Sequence, residues 1–248
     1  MSYRWLTVFL DFPADAFGSG VAFWQAVTGS GLSAYRGATG EFATLLPPDG
    51  DAYLRVQRLA AGDGGCHLDL HVDTAVEPLA VAGDRARSLG ARLLHAEDGL
   101  IVAESPAGFT FCLVPWDDQH VVPSPLADDA GAARVDTLCI DVPPGRFERE
   151  CAFWAALTGW QATPAPFPEF TFLRMPAGLP IRIILQRLAN AATAQRARSH
   201  VDFGSPDPAM VTSHVTLGAR VIASQEHWTV LADPTGREYC LVRRPPLA

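Results

Sequence analysis

The chain of 248 residues has no run of Lys or Arg longer than two, and its formal net charge is −8. Gripping a nucleic-acid backbone needs clustered cations that displace counterions, so a nucleic-acid partner is not expected. No apolar run approaches the ~20 residues of a membrane-spanning helix. The N-terminal residues Met1-Ser2-Tyr3-Arg4-Trp5 lead straight into a strand pattern, without an apolar signal core. Cysteine is scarce and odd in number: Cys66, Cys112, Cys139, Cys151 and Cys240, with no CxxC spacing. That excludes an ordinary disulfide framework and favours reduced thiols in a cytoplasmic protein. An apolar fraction of 48% with 19% charged residues is that of a globular chain able to bury a sizeable core.

An internal repeat is the strongest positive signal. Phe23-Trp24 with Thr28-Gly29 recurs as Phe153-Trp154 with Thr158-Gly159, and Gln57-Arg58-Leu59 recurs as Gln186-Arg187-Leu188. His67 with Asp69 returns as His200 with Asp202, and Leu89-Gly90-Ala91-Arg92 as Leu217-Gly218-Ala219-Arg220. Pro106-Ala107-Gly108 before Cys112-Leu113-Val114 returns as Pro234-Thr235-Gly236 before Cys240-Leu241-Val242. Matches in constant order at a nearly constant offset mark a tandem duplication. The Pro- and Asp-bearing stretch between the copies reads as an exposed linker. The expected organisation is therefore one module over 1–117, a linker over 118–132 and a second module over 133–248.

Within copy one, alternation and turn chemistry predict a strand over Leu6–Phe12 and a helix from about Asp15 to Val27, ended by Gly29. Strands follow at Phe42–Leu46 and Tyr53–Leu59, and a third opens after Gly64-Gly65. A second helix over about Glu77–Leu89 carries Leu79, Ala82, Ala86 and Leu89 on one face, and three strands close the unit. Phe23-Trp24 and Phe153-Trp154 are expected to be core. In Cys66-His67-Leu68-Asp69-Leu70-His71-Val72, period-two alternation turns His67, Asp69 and His71 to one face and the aliphatic residues to the other.

Phe23-Trp24…Gly29, Arg55-Val56-Gln57-Arg58, His67 through Asp73, Leu89-Gly90-Ala91 and Ser105-Pro106-Ala107-Gly108…Phe111-Cys112-Leu113-Val114, with their second-copy counterparts, resemble the vicinal oxygen chelate superfamily. The nearest likeness is to its glyoxalase-like, bleomycin-resistance-like and extradiol-dioxygenase-like domains. The resemblance implies an α+β fold: a tandem pair of modules, each of two βαβββ units curled into an incomplete barrel. It also implies a divalent metal held by His, Gln and Glu from the first and last strands of each half. Carried onto this chain, those positions are Thr7, Gln57, His67 and Cys112, and then Thr137, Gln186, His200 and Cys240. Gln57 with His67, and Gln186 with His200, are the metal-ligand candidates.

Threonine and cysteine depart from the superfamily pattern in both copies. Thr is a weak ligand, and thiolate suits zinc better than harder ions. The first expectation is thus a protein that binds a small organic molecule without an essential catalytic metal. The alternative is a metal-dependent lyase, isomerase or dioxygenase. Pocket candidates are Trp5, Thr7, Phe9, Arg55, Gln57, His67, Asp69, His71, Thr110 and Cys112, and in copy two Thr137, Gln186, His200, Asp202, Glu238 and Cys240. Arg55 is a candidate partner for Asp69. The partner expected is a small molecule, with no nucleic acid or membrane, and the state a monomer or homodimer.

Overall fold

The computed structural model describes residues 2–129, 131–189 and 195–247. Strand β1 (Tyr3–Pro13) leads to helix α1 (Phe17–Thr28), followed by β2 (Gly31–Leu32), β3 (Phe42–Leu46) and β4 (Leu54–Leu59). The second round runs β5 (Gly65–Val72), α2 (Leu79–Ser88), β6 (Arg92–Glu97), β7 (Leu100–Glu104) and β8 (Thr110–Pro115). After β9 (Leu126–Asp128) the plan repeats as β10 (Gly131–Val142), α3 (Phe147–Thr158), β11 (Gln161–Pro164), β12 (Phe170–Arg174) and β13 (Arg182–Arg187). It closes with β14 (Arg198–Gly204), α4 (Ala209–Thr216), β15 (Arg220–Ser224), β16 (Trp228–Ala232) and β17 (Glu238–Val242).

Two sheets result, ordered β2-β3-β4-β1-β5-β8-β7-β6 and β11-β12-β13-β10-β14-β17-β16-β15, with β9 paired to β10. Each sheet is the same βαβββ plan used twice, in which the strand before the helix becomes central. The α+β architecture of two tandem copies read from the sequence is the one found. Two short strands escaped that reading. β2 is two residues long, too short for any alternation to register, and β9 lies within 118–132 and pairs Leu126 with Ala133. The α2 face is narrower than expected: Ala82, Gly83 and Ala86 are buried, whereas Leu79 and Leu89 are half-exposed. Gly29 and Gly159 end α1 and α3 at φ 62° and 72°, a left-handed turn that glycine adopts without strain.

The chain divides into two compact units. The first comprises Met1–Val8, Cys66–His120 and Leu138–Ser199, and the second Phe9–Gly65, Val121–Thr137 and His200–Ala248. In the first unit, α3 of copy two packs on β8 of copy one. Trp154 lies 5.3 Å edge-on to Phe111 and 6.0 Å from Phe109. Its Nε1 donates to Glu150 Oε1 at 2.8 Å, and Glu150 Oε2 accepts from the Ala107 amide at 2.7 Å. Burial pushes the Glu150 carboxyl above its ordinary range, against the hydrogen bonds that favour its ionised form.

In the second unit, α1 of copy one packs on β14 and β17 of copy two. Trp24 stacks on Phe203 at 6.0 Å and meets Tyr239 at 5.4 Å. Its Nε1 donates to Asp233 Oδ2 at 2.9 Å, while Asp233 Oδ1 caps the turn by accepting from the Thr235 and Arg237 amides. Each first helix thus finds its apolar platform in the other copy. Both tryptophans are fully buried, so their aromatic areas dominate these cores.

Candidate active site

Strands β5 and β8 run parallel and place Asp69 opposite Cys112, with Leu68 opposite Phe111. Side chains alternate, so Leu68 and Phe111 enter the core under α3 while His67, Asp69, His71 and Cys112 share the other face. There, one donor atom each from His67, Asp69 and Cys112 lies within 4.8 Å of the others. His67 Nε2 is 3.8 Å from Asp69 Oδ1. The second unit repeats the arrangement: β14 and β17 place Asp202 opposite Cys240, and His200, Asp202 and Cys240 form an equally close set. His200 Nε2 is 3.3 Å from Asp202 Oδ1. In each set the acid and thiol are buried and the imidazole is half-buried.

The first-strand positions are committed elsewhere. Thr7 Oγ1 is 2.8 Å from His71 Nε2, with both groups buried. In copy two, Thr137 Oγ1 donates to Asp136 Oδ1 at 3.0 Å and accepts from Arg244 Nη2 at 3.0 Å. Arg244 also forks onto both oxygens of Asp136, which is wholly buried. Arginine suits this role because its planar fork meets both carboxylate oxygens, and every one of the 19 basic residues here is an arginine. His71 has no counterpart at Gly204 for a steric reason. A Cβ on Gly204 would stand 2.5 Å from Arg244 Nη1 and 2.7 Å from Asp136 Oδ2. Arg244 thus takes in copy two the place beside threonine that His71 holds in copy one.

The remaining candidates are placed as follows. The first unit holds fully buried Trp5, half-buried Thr110, and Gln186, whose Oε1 accepts from Cys139 Sγ at 3.7 Å. The second unit holds Phe9 and Arg55, with the guanidinium 5.6 Å over the Phe9 ring. Gln57 lines a cleft of about 390 Å³ with Glu41, Phe42 and Arg58, also in the second unit. Glu238 is exposed at the start of β17. Sequence reasoning missed Asp136 and Arg244. Asp136 carried a signal, since an acid stands there where copy one has Leu6. Arg244 carried none, being 107 positions from Thr137.

The model of the glyoxalase-like domain family matches residues 7–114 and again 137–242. The chain belongs to the glyoxalase-like family. Its tandem form is that of the vicinal oxygen chelate superfamily. Among solved structures it resembles the Mn(II)-bound glyoxalase from Novosphingobium aromaticivorans (15% identity, TM-score 0.65, covering 97% of this chain and 81% of that one). It also resembles 2,2',3-trihydroxybiphenyl 1,2-dioxygenase from Sphingomonas wittichii (15% identity, TM-score 0.64, 98% and 90%). A variant of homoprotocatechuate 2,3-dioxygenase from B. fuscum is similar at 14% identity and a TM-score of 0.63, over 99% and 71%. No curated protein matches. At these identities the likeness is one of fold.

The superfamily's divalent ion can be tested against the residues present. A ligand at the first strand does not fit, because Thr7 and Thr137 offer hydroxyls already in hydrogen bonds, and a guanidinium touches the latter. The His/Asp/Cys sets fit better. Tetrahedral zinc with bonds of about 2.1 Å holds nitrogen and oxygen ligands about 3.4 Å apart, and a nitrogen–oxygen–sulfur set is zinc-like chemistry. Among the described residues no helix is long and apolar enough to cross a membrane.

Proposed function

We propose that this glyoxalase-like protein binds a small organic molecule over the His67–Asp69–Cys112 face and its His200–Asp202–Cys240 counterpart, without an essential metal of the superfamily kind. The observation that carries this reading is the commitment of both first-strand threonines, Thr7 to His71 and Thr137 to Asp136 and Arg244. A divalent ion needs oxygens that can turn toward it, and a cationic guanidinium 3.0 Å from the Thr137 hydroxyl opposes one there. The buried acids and half-buried imidazoles then serve as hydrogen-bonding groups that orient a ligand. Five buried, unbridged thiols accord with a reducing compartment, and the reading places the protein in the cytoplasm as a monomer or homodimer.

A second reading, a metal-dependent lyase or isomerase, is favoured by the spacing within the two triads. His67, Asp69 and Cys112 would hold the ion, which would act as a Lewis acid on oxygens of the bound molecule. The thiol makes a redox-cycling dioxygenase the weaker form of this reading, since thiolate selects softer ions. Elemental analysis with native mass spectrometry of untagged protein, purified without chelators, separates the two. A co-purified organic mass without stoichiometric metal is expected. One ion per triad, lost in His67→Ala from the first, would replace the first reading by the second.

A further inference from the structure

The second unit contains a cavity of about 250 Å³ on the helix side of β14. Phe203 lines it, and alternation along β14 turns His200 and Asp202 to the opposite face. The cavity is therefore separate from the His200–Asp202–Cys240 set. One of its walls is loop: Pro47 and Pro48 lie between β3 and β4, and Pro123 and Pro125 precede β9. Proline carries no amide donor, so irregular backbone that would ordinarily offer N–H groups presents ring carbons at these positions. Leu45, Leu126, Val135 and Phe203 continue the apolar lining.

The loop wall is pinned. Asp51 Oδ2 accepts from the Val121 amide at 2.8 Å, and the Asp51 amide donates to the Val121 carbonyl at 2.7 Å. Asp49 Oδ1 accepts from the Ser124 amide at 2.8 Å. At Gly50, with φ 68°, a Cβ would stand 2.8 Å from the Pro123 backbone, so the two loops meet through their main chains. Polar side chains of the lining are spent on protein partners. Tyr53 donates its hydroxyl to the Val135 carbonyl at 2.8 Å, and burial raises this phenol well above its ordinary range. Thr28 Oγ1 donates to the Trp24 carbonyl at 2.6 Å and lies 2.9 Å from Ser30 Oγ. The two Nη atoms of Arg134 donate to the Pro123 and Leu247 carbonyls. A water gains little from side chains already bonded, whereas an apolar guest leaves its own hydration behind and gains contacts.

We propose that this cavity is a second binding site, distinct from the triad faces, for a neutral apolar molecule of single-ring size. An apolar cavity of about 150 Å³ stays dry and takes up benzene, and the space here is larger with its walls already formed. A charged guest is disfavoured, because it would exchange water for proline and leucine side chains, and the Nη atoms of Arg134 are held by carbonyls. The volume lies below the range for drug-sized ligands, about 300–1,000 Å³, which sets the upper size of the guest.

The test uses the full chain, toluene as probe and benzoate as its charged counterpart, read by calorimetry and thermal shift at neutral pH. Ala133 lines the cavity from a buried position and Ala127 from an exposed one, so Ala133→Leu and Ala127→Trp each add bulk to the space. Toluene is expected to bind and raise the melting temperature, with benzoate at least tenfold weaker. Each filling substitution should weaken toluene at least tenfold, and His67→Ala and His200→Ala should leave it unchanged, which separates this site from the triad faces. If Ala133→Leu does not fold, Ala127→Trp and the benzoate comparison still decide. Absent toluene binding, benzoate binding as tight as toluene, toluene binding that survives a folded filling variant, or its loss in either histidine variant overturns the proposal.

Discussion

Glu150 supports a quantitative test of how the first unit is held together. Its two oxygens accept from Trp154 Nε1 at 2.8 Å and from the Ala107 amide at 2.7 Å, and the residue is wholly buried. Glu150→Gln keeps the shape and one acceptor but turns an NH₂ toward a donor. One buried N–H then loses its acceptor, which costs about 1–3 kcal/mol. For a chain of this length that is a fall in Tm of about 2–12 °C. The loss should vary with pH. Burial holds the Glu150 carboxyl above its reference value of 4.5, so the folded chain keeps this proton more tightly than the unfolded chain. That contribution is fully present below pH 4.5 and is lost as pH rises through the folded value. Glutamine has no such dependence, so the deficit of the variant should be widest in acid and narrow toward neutral pH. Urea unfolding followed by tryptophan fluorescence across that range reads both effects. A variant within about 0.5 kcal/mol of the parent throughout, or a deficit that widens with pH, would refute the reasoning.

Two further outcomes are expected. Arg244→Ala strands the buried Asp136 carboxylate and should cost about 3–5 kcal/mol in chemical denaturation, with Asp136→Asn in the Arg244→Ala background recovering part of it. The Cys151 thiol is pushed up to about 11, first by burial, so at pH 8 only about one in 10³ is thiolate. Peptide mapping after maleimide treatment of the native protein should leave Cys151 unmodified, and rapid labelling there would contradict its burial.

Much of the fold was legible because duplication printed each local signal twice. Gly29 and Gly159 marked helix ends, and the alternation in Cys66–Val72 assigned Leu68 and Leu70 to the core and His67 and Asp69 to the opposite face. The closeness of Cys112 to that pair was less visible, because it depends on β5 and β8 pairing in parallel across some forty residues. The engagement of Thr137 was invisible. Arg244 reaches it only because Gly204 leaves room, and no period or spacing encodes a close approach between such distant positions. Local pattern reveals which face a side chain takes. It does not reveal which distant guanidinium arrives there.

The carboxylates beneath the two tryptophans have a consequence for how this gene can change. Trp154 takes its acid from its own helix, at Glu150, and the matching position in α1 is Gly20. No acid can stand there, since a Cβ at Gly20 would come within 2.4 Å of the Phe12 ring. Trp24 therefore depends on Asp233, in the copy that does not encode it, while the position matching Asp233 in copy one is Ser105. A mutation at either end of such a link can be answered only by a change in the other half of the gene. The duplicates are thus no longer free to drift apart, and selection acts on them as a single inherited unit.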